Sequence, residues 1–302
     1  MSLGKSKKRK TGRNGSKKKS ITIKKMNCHP GVQGKTVSSD TCYTTTYLLK
    51  IRNAYNKKHP KNPIKSNKAH VILENLRSNL QCGQEDCWLK QLSEQDRKII
   101  DDKVFAPDHP TTWNKNPTEW LSNYDILNVL TQYETTFSDF KFIGPTPIDF
   151  ASMEEGDCIW PELCNINLSD FISKKKNKIG IIFNLDKHDE SGSHWVSMFL
   201  NIREGILFYF DSAANETPLE IINLINKILK QANSLSLPMK YITNYPKQHQ
   251  QSNTECGMYS LYFIITMIDK TKSIKTKIEM FQNQTITDSR MKLFRKKYFN
   301  SK

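Results

Sequence analysis

The sequence predicts an α+β fold, a mixed central sheet flanked by helices with an N-terminal helical extension ahead of it. Three observations carry this. Apolar runs of strand length cluster between residues 179 and 210, apolar residues at helical spacing dominate before residue 134, and helical periodicity returns after residue 218.

Three segments are expected: a basic tail over 1–25, a helical extension over 26–119 and a second unit over 120–302. The tail holds 11 Lys and Arg and no acid, out of a net charge of +16, so the rest of the chain carries only +5. Such a block cannot bury enough apolar surface to offset its ordering entropy and is expected to be disordered, with nucleic acid as a possible partner. In the extension, Tyr47, Leu48, Leu49, Ile51 and Tyr55 form one helix, with Asp40 or Thr41 as its cap and His59-Pro60 as its stop. A second helix follows Ser66, and shorter helical pieces surround Trp88 and Ile99. Another helix is read from Thr118 through Tyr133, and Phe142 to Pro147 then breaks the pattern.

Beyond that break, Ile179 to Leu185, His194 to Leu200 and Ile206 to Phe210 read as strands. An amphipathic helix starts at Pro218 behind a Thr217 cap, Met239 to Thr243 gives another strand, and a terminal helix begins near Thr287. Between these last two, the loop Gln248 to Glu255 is rich in amides and polar residues, and Cys256-Gly257 opens the apolar run Leu261 to Ile268. Cys256 is thus placed where a loop becomes a buried helix. There the first N–H groups lack partners within the helix and the peptide dipoles favour negative charge, which favours a thiolate.

Two other groups complete a chemistry. His194 starts one strand and Asp211 follows the end of the next, so a chain reversal brings both to one rim of the sheet. An imidazole there can take the thiol proton, and the carboxylate can hold the ring in the right tautomer. Acyl transfer also needs donors for the oxyanion. The Cys256 N–H supplies one, and a side-chain amide supplies the other, with Gln250 first and Gln251 and Asn253 as competitors. Gly257 is expected to permit close approach of the backbone beside the nucleophile.

The seven cysteines are irregularly spaced, and no charged start followed by an apolar stretch and a small-residue cleavage site is visible. No run approaches a membrane span, so no membrane partner is expected. The environment is expected to be reducing and intracellular, with mostly free thiols. Cys28-His29, Cys42, Cys82 and Cys87 match no familiar zinc spacing, and no metal or cofactor is expected.

The ordered set Ser193-His194-Trp195, Phe210-Asp211-Ser212, Gln250 and Glu255-Cys256-Gly257-Met258-Tyr259 resembles the ubiquitin-like-protein (SUMO) protease and adenovirus-maturation-protease superfamily. The chain is most similar to the polyprotein-processing thiol proteases of large DNA viruses, the asfarvirus and mimivirus type. The likeness runs from about Trp120 to Phe299. It implies a papain-like, SUMO-protease-like cysteine protease core, with Cys256 as nucleophile, His194 as base, Asp211 as orienting acid and Gln250 as the oxyanion-hole amide. It further implies that Trp195 lies over the substrate's terminal glycines, so that Trp195, Gln250 and Gly257 line the substrate and cleavage follows Gly-Gly-like sequences.

The function this implies is a thiol endopeptidase acting on viral structural polyprotein precursors, in the virion and, during assembly, in the host cytoplasm at the viral factory. A deconjugating isopeptidase for a ubiquitin-like modifier would use the same residues, and so would a related acetyltransferase. A basic nucleic-acid-binding virion protein with a degenerate protease fold is the reading from another class.

Overall fold

The computed structural model describes residues 23–301. The expectation of disorder over residues 1–22 lies outside the described residues. Ile23 to Lys25, placed in the same tail by sequence, instead belong to the folded chain. The Lys24 backbone N–H donates to Gly83, and Ile23 packs against the core of the extension.

In chain order the extension contains α1 (Thr45–Lys58), α2 (Ala69–Asn79) and α3 (Glu94–Val104). The segment around Trp88 is a 3₁₀ helix over Glu85–Gln91. These elements close on a core of their own, which includes Tyr43, Leu48, Ile51, Ile72, Leu76, Trp88 and Phe105. Neither expected cap serves α1. Thr44 is the N-cap, while the Thr41 hydroxyl donates to the buried carboxylate of Glu85.

Helix α4 (Asn123–Thr136) starts later than the apolar pattern suggested. Ser122 caps it through a reciprocal box with Asp125, which fixes the helix start and leaves Trp120 outside it and exposed. The break read at Phe142 to Pro147 is in fact a strand, β1 (Phe140–Pro147), parallel to its neighbour. Gly144 and Pro145 gave the turn signal. Pro145 is tolerated because β1 lies at the sheet edge and the register shifts between Ile143 and Thr146.

A short hairpin follows, β2 (Met153–Glu154) and β3 (Asp157–Cys158), then two short helices, α5 (Pro161–Cys164) and α6 (Leu168–Ser173). The main sheet continues with β4 (Lys178–Asn184), β5 (Trp195–Asn201) and β6 (Ile206–Phe210). Helix α7 (Leu219–Ser234) leads to β7 (Lys240–Thr243). Thr217 does not cap α7; its hydroxyl meets that of Tyr241 at 2.6 Å, and Pro218 holds the N-cap position. The chain ends with α8 (Cys256–Ile268), α9 (Ile274–Asn283) and α10 (Asp288–Tyr298). Helix α9 was not read from the sequence.

Strand order is β1-β4-β5-β6-β7, antiparallel across β4, β5 and β6 and parallel at both edges, which makes the sheet mixed as expected. Strand alternation divides the core between the two faces. Phe199, Phe208 and Phe210 join α4, α8, α9 and α10 on one face, while Met198, Leu200, Leu207 and Tyr209 join α7 on the other. Helix α8 is apolar nearly all round because it is buried between the sheet and the later helices.

The expectation of mostly free cysteines is corrected. Cys28 is bonded to Cys42, Cys82 to Cys87 and Cys158 to Cys164, with Cα separations of 5.2, 6.2 and 6.4 Å. The pairs join residues brought together by local turns, which irregular spacing in sequence does not reveal. Cys256 is the one free cysteine. Among the described residues no helix is long and apolar enough to cross a membrane, and no three His, Cys, Asp or Glu side chains stand where they could hold a metal ion.

Candidate active site

The antiparallel pairing of β5 with β6 sets Ser197 opposite Phe210, so His194 before β5 and Asp211 after β6 emerge at the same sheet rim. Their side chains meet, with His194 Nε2 2.6 Å from Asp211 Oδ1. That leaves Nδ1 as the ring nitrogen available to the third group, Cys256, which lies close enough to raise the proton affinity of the ring. The approach to His194 is held by Asn184 at the end of β4, whose side-chain oxygen accepts from the Ser193 N–H at 3.2 Å, and by the Leu185 N–H donating to the His194 carbonyl at 2.9 Å.

Burial disfavours a charged imidazole, yet the hydrogen bond to Asp211 and the attraction of Asp211 and Cys256 for the ring's proton outweigh it. The His194 pKa is raised from 6.5 to about 10. Asp211 is only 1% exposed. Burial pushes its pKa up, but the bond from His194 and backbone donors reverse this, and the carboxyl ends below its ordinary value. Its second oxygen accepts from the backbone and side-chain N–H groups of Asn215 at 3.0 and 2.9 Å, and Oδ1 also accepts from Ala213 at 2.9 Å. Behind it Asn244 spans the backbone of Asp211, accepting from its N–H at 3.0 Å and donating to its carbonyl at 2.7 Å. Asn215 and Asn244 thus hold the acid. Neither stood out in the sequence, since an asparagine that ties down a backbone leaves no spacing signature.

Cys256 is the first residue of α8 and is 2% exposed. The preceding loop is drawn to Asp211 through Ser212, whose carbonyl accepts from the His249 and Gln250 N–H groups at 3.0 and 2.9 Å. The Ser212 hydroxyl donates to Gln250 Oε1 at 2.7 Å, which turns the Gln250 amide nitrogen toward the Ser252 carbonyl. Of the three amides that the sequence left in competition, Gln250 is buried while Gln251 and Asn253 are exposed. Two further residues hold this loop. Buried His249, its pKa lowered by burial, bridges the Phe281 carbonyl and the Ile286 N–H. Asp288 accepts from the Ser252 N–H at 2.8 Å and the Tyr259 hydroxyl at 2.9 Å.

Trp195 is buried, and its indole N–H donates to the Leu121 carbonyl at 3.1 Å. Its ring borders a cleft of about 750 Å³ shared with Pro145, Thr146, Trp160, Asn184 and Gly192. A Cβ at Gly257 would meet the Leu121 side chain at 3.0–3.1 Å, so the glycine lets the segment before α4 approach α8 closely beside the nucleophile. One residue, Leu121, therefore touches both the Trp195 side chain and the start of the Cys256 helix.

A sheet rim that brings thiol, imidazole and carboxylate together defines a class of enzymes, and comparison with known proteins places the chain in it. The catalytic-domain profile of the Ulp1 protease family matches residues 161–302. A putative thiol protease of Acanthamoeba polyphaga mimivirus is 31% identical over 264 residues, covering 79% of this chain and 83% of the relative. The chain belongs to the Ulp1 protease family and is a cysteine peptidase.

Its similarities within that family run to large DNA viruses. A SUMO-1 cysteine protease of African swine fever virus is 30% identical over 195 residues, covering 61% of this chain and 69% of the relative. The crystal structure of the African swine fever virus protease superposes with a TM-score of 0.63 at 20% identity, covering 93% of this chain and 98% of the other. That likeness of fold extends over the helical extension as well as the sheet.

Proposed function

We propose that the chain is a thiol endopeptidase that cleaves viral structural polyprotein precursors after Gly-Gly-like sequences during virion maturation. The observation that carries the reading is His194 held between Asp211 and Cys256 at the rim of the sheet. In this reading the Cys256 sulfur, having given its proton to His194, attacks the scissile carbonyl carbon. The carbonyl π electrons move onto oxygen, which is stabilised by the Cys256 N–H and the amide of Gln250. His194 then returns a proton to the leaving amine as the C–N bond breaks, and water hydrolyses the thioester with His194 as base. Asp211 keeps the ring oriented throughout.

Trp195 supports the specificity. Its indole is fixed by the Leu121 carbonyl in the position next to His194, and a rigid aromatic beside the reacting groups favours substrate residues without side chains. For location we propose the virion and the cytoplasmic assembly site, and the charge of residues 1–25 supports nucleic acid as a proposed partner.

The test is a peptide ending in Gly-Gly with an electrophile in place of the scissile carbonyl. It is expected to label the chain and to leave Cys256→Ala unlabelled; labelling of both, or of neither, sinks the assignment of the nucleophile. Candidate polyproteins set against fusions to a ubiquitin-like modifier then identify the substrate. Faster cleavage of the modifier fusions would replace polyprotein processing with deconjugation.

A further inference from the structure

A second cleft, of about 740 Å³, lies where the extension meets α10. Lys24, Lys25, Lys292, Arg295 and Lys296 line it, and no Asp or Glu does. Its apolar lining comes from Met26, Trp113, Pro117 and Phe299. The combination is unusual for a crevice between packed segments, because like charges gathered around apolar surface repel one another and gain nothing from the contact.

Some of these groups are used internally. Lys24 Nζ donates to the Ser301 hydroxyl at 2.9 Å. Arg295 is buried, its guanidinium stacked 4.3 Å from the Trp113 ring centre and paired with Glu255 at 3.0 Å. Others are unspent. Lys292 and Lys296 are exposed, and neither side chain has an ion pair or hydrogen bond among the described residues. Trp113 is only 6% exposed, yet its indole N–H, a donor without acceptor capacity, has no partner.

We propose that this cleft docks a protein partner through an acidic peptide segment that also carries an apolar side chain. The lysines match the acids and the apolar lining matches the anchor. Charge complementarity also argues against residues 1–22 as the occupant, since their nine positive charges without an acid would meet a lining of the same sign. Nucleic acid fits less well, since bases bind such a cleft by stacking on an exposed aromatic, and Trp113 is buried and already stacked with His109 and Arg295. Docking here places the partner against Arg295, the side chain that holds Glu255 immediately before Cys256.

The experiment uses the full chain and a short fluorescein-labelled peptide of Asp and Glu around a central Leu-Phe pair, read by anisotropy and therefore independent of proteolysis. The peptide is expected to bind, to weaken as salt rises, and to lose about tenfold or more in affinity with Lys292→Glu/Lys296→Glu. Lys292→Gln/Lys296→Gln, which removes the charge without reversing it, is expected to give a smaller loss. Both double variants should keep the melting temperature and the Gly-Gly probe labelling of the parent, because these side chains are exposed and outside the active site. Equal affinity for parent and both variants overturns the proposal, as does equal binding of a peptide with Lys in place of the acids or with Gly in place of Leu-Phe. A single-stranded oligonucleotide that displaces the peptide and depends more strongly on the same two lysines would assign the cleft to nucleic acid and overturn it too.

Discussion

His194 is the residue whose environment makes the strongest statement about chemistry. Its pKa of about 10 means that the ring keeps its proton across the physiological range, with Asp211 on one nitrogen and Cys256 as the other partner. For folding, the sign follows from a value raised above 6.5. This contribution is fully present below about pH 6.5 and is lost as pH rises through about 10. Asp211 acts oppositely: its lowered value gives stability that is present above 3.8 and is lost as pH falls through the folded-state value. For catalysis, kcat/KM on a Gly-Gly peptide is expected to decline on the alkaline side near pH 10. Asp211→Asn should move that decline down by about 1–3 pH units, because an opposite charge in contact is removed. An unmoved alkaline limb would show that Asp211 does not set the ring's proton affinity. Gln250 has its own test, since its amide is also tied to Ser212 and Ser252. Gln250→Ala is expected to lower kcat by about 10²–10³ with little change in KM, the usual cost of losing an oxyanion donor, while Gln251→Ala leaves kcat nearly unchanged. A lowered melting temperature without a kcat loss would reduce Gln250 to a structural part of the loop.

At the scale of elements, the junction of α8 with the segment entering α4 is where packing supports chemistry. Leu121 fills the space left by Gly257 and accepts the Trp195 indole hydrogen bond through its carbonyl. Gly257→Ala should press its methyl into Leu121 and cost about 1–3 kcal/mol, typical of overpacking. Leu121→Ala should cost about 2–5 kcal/mol by leaving a cavity. The double variant is expected to be more stable than the sum of the two losses predicts, by roughly 0.5 kcal/mol or more in a denaturant-unfolding cycle. Strict additivity would mean that the two side chains do not share this space. The same junction shows what a sequence reveals and what it hides. Cys256, His194 and Asp211 were legible because each stands at the end of an element whose apolar pattern is unbroken. Strand β1 was hidden by Gly144 and Pro145, which signal a turn in any chain and are accommodated here only because an edge strand leaves one side free. Leu121 and Asn244 were hidden for another reason: each acts on backbone groups far away in sequence, and no local pattern records such a contact.

At the scale of the whole molecule, the described fold is closed where Asn27 meets Asn300. Asn27 and Asn300 exchange hydrogen bonds, the Asn27 N–H donating to the Asn300 side chain at 2.7 Å and the Asn300 side-chain amide returning one to the Asn27 carbonyl at 3.1 Å. The Asn300 amide also reaches the Ala106 carbonyl at 2.8 Å, so the extension is stitched to the residues that follow α10. Helix α10 in turn carries Arg295, which pairs with Glu255 beside the nucleophile. A chain closed in this way predicts a sharp difference between two truncations. Removal of residues 1–22 takes away nine of the tail's positive charges and none of these contacts. The melting temperature and kcat/KM on a short peptide should stay as they are. Binding to single-stranded DNA should weaken, with a shallower dependence on salt, since each neutralised phosphate contributes about −0.7 to that slope. Removal of residues 1–27 additionally deletes the buried Met26 and the hydrogen bonds of Asn27 to Ala106, Lys296, Phe299 and Asn300. It should lower the melting temperature by several degrees, as the loss of a buried side chain of about 2–5 kcal/mol does in a chain of this size. If removing residues 1–22 leaves the DNA salt slope intact, the tail is not the nucleic-acid contact. If removing 1–27 melts no earlier than removing 1–22, the closure between the ends contributes nothing to the fold.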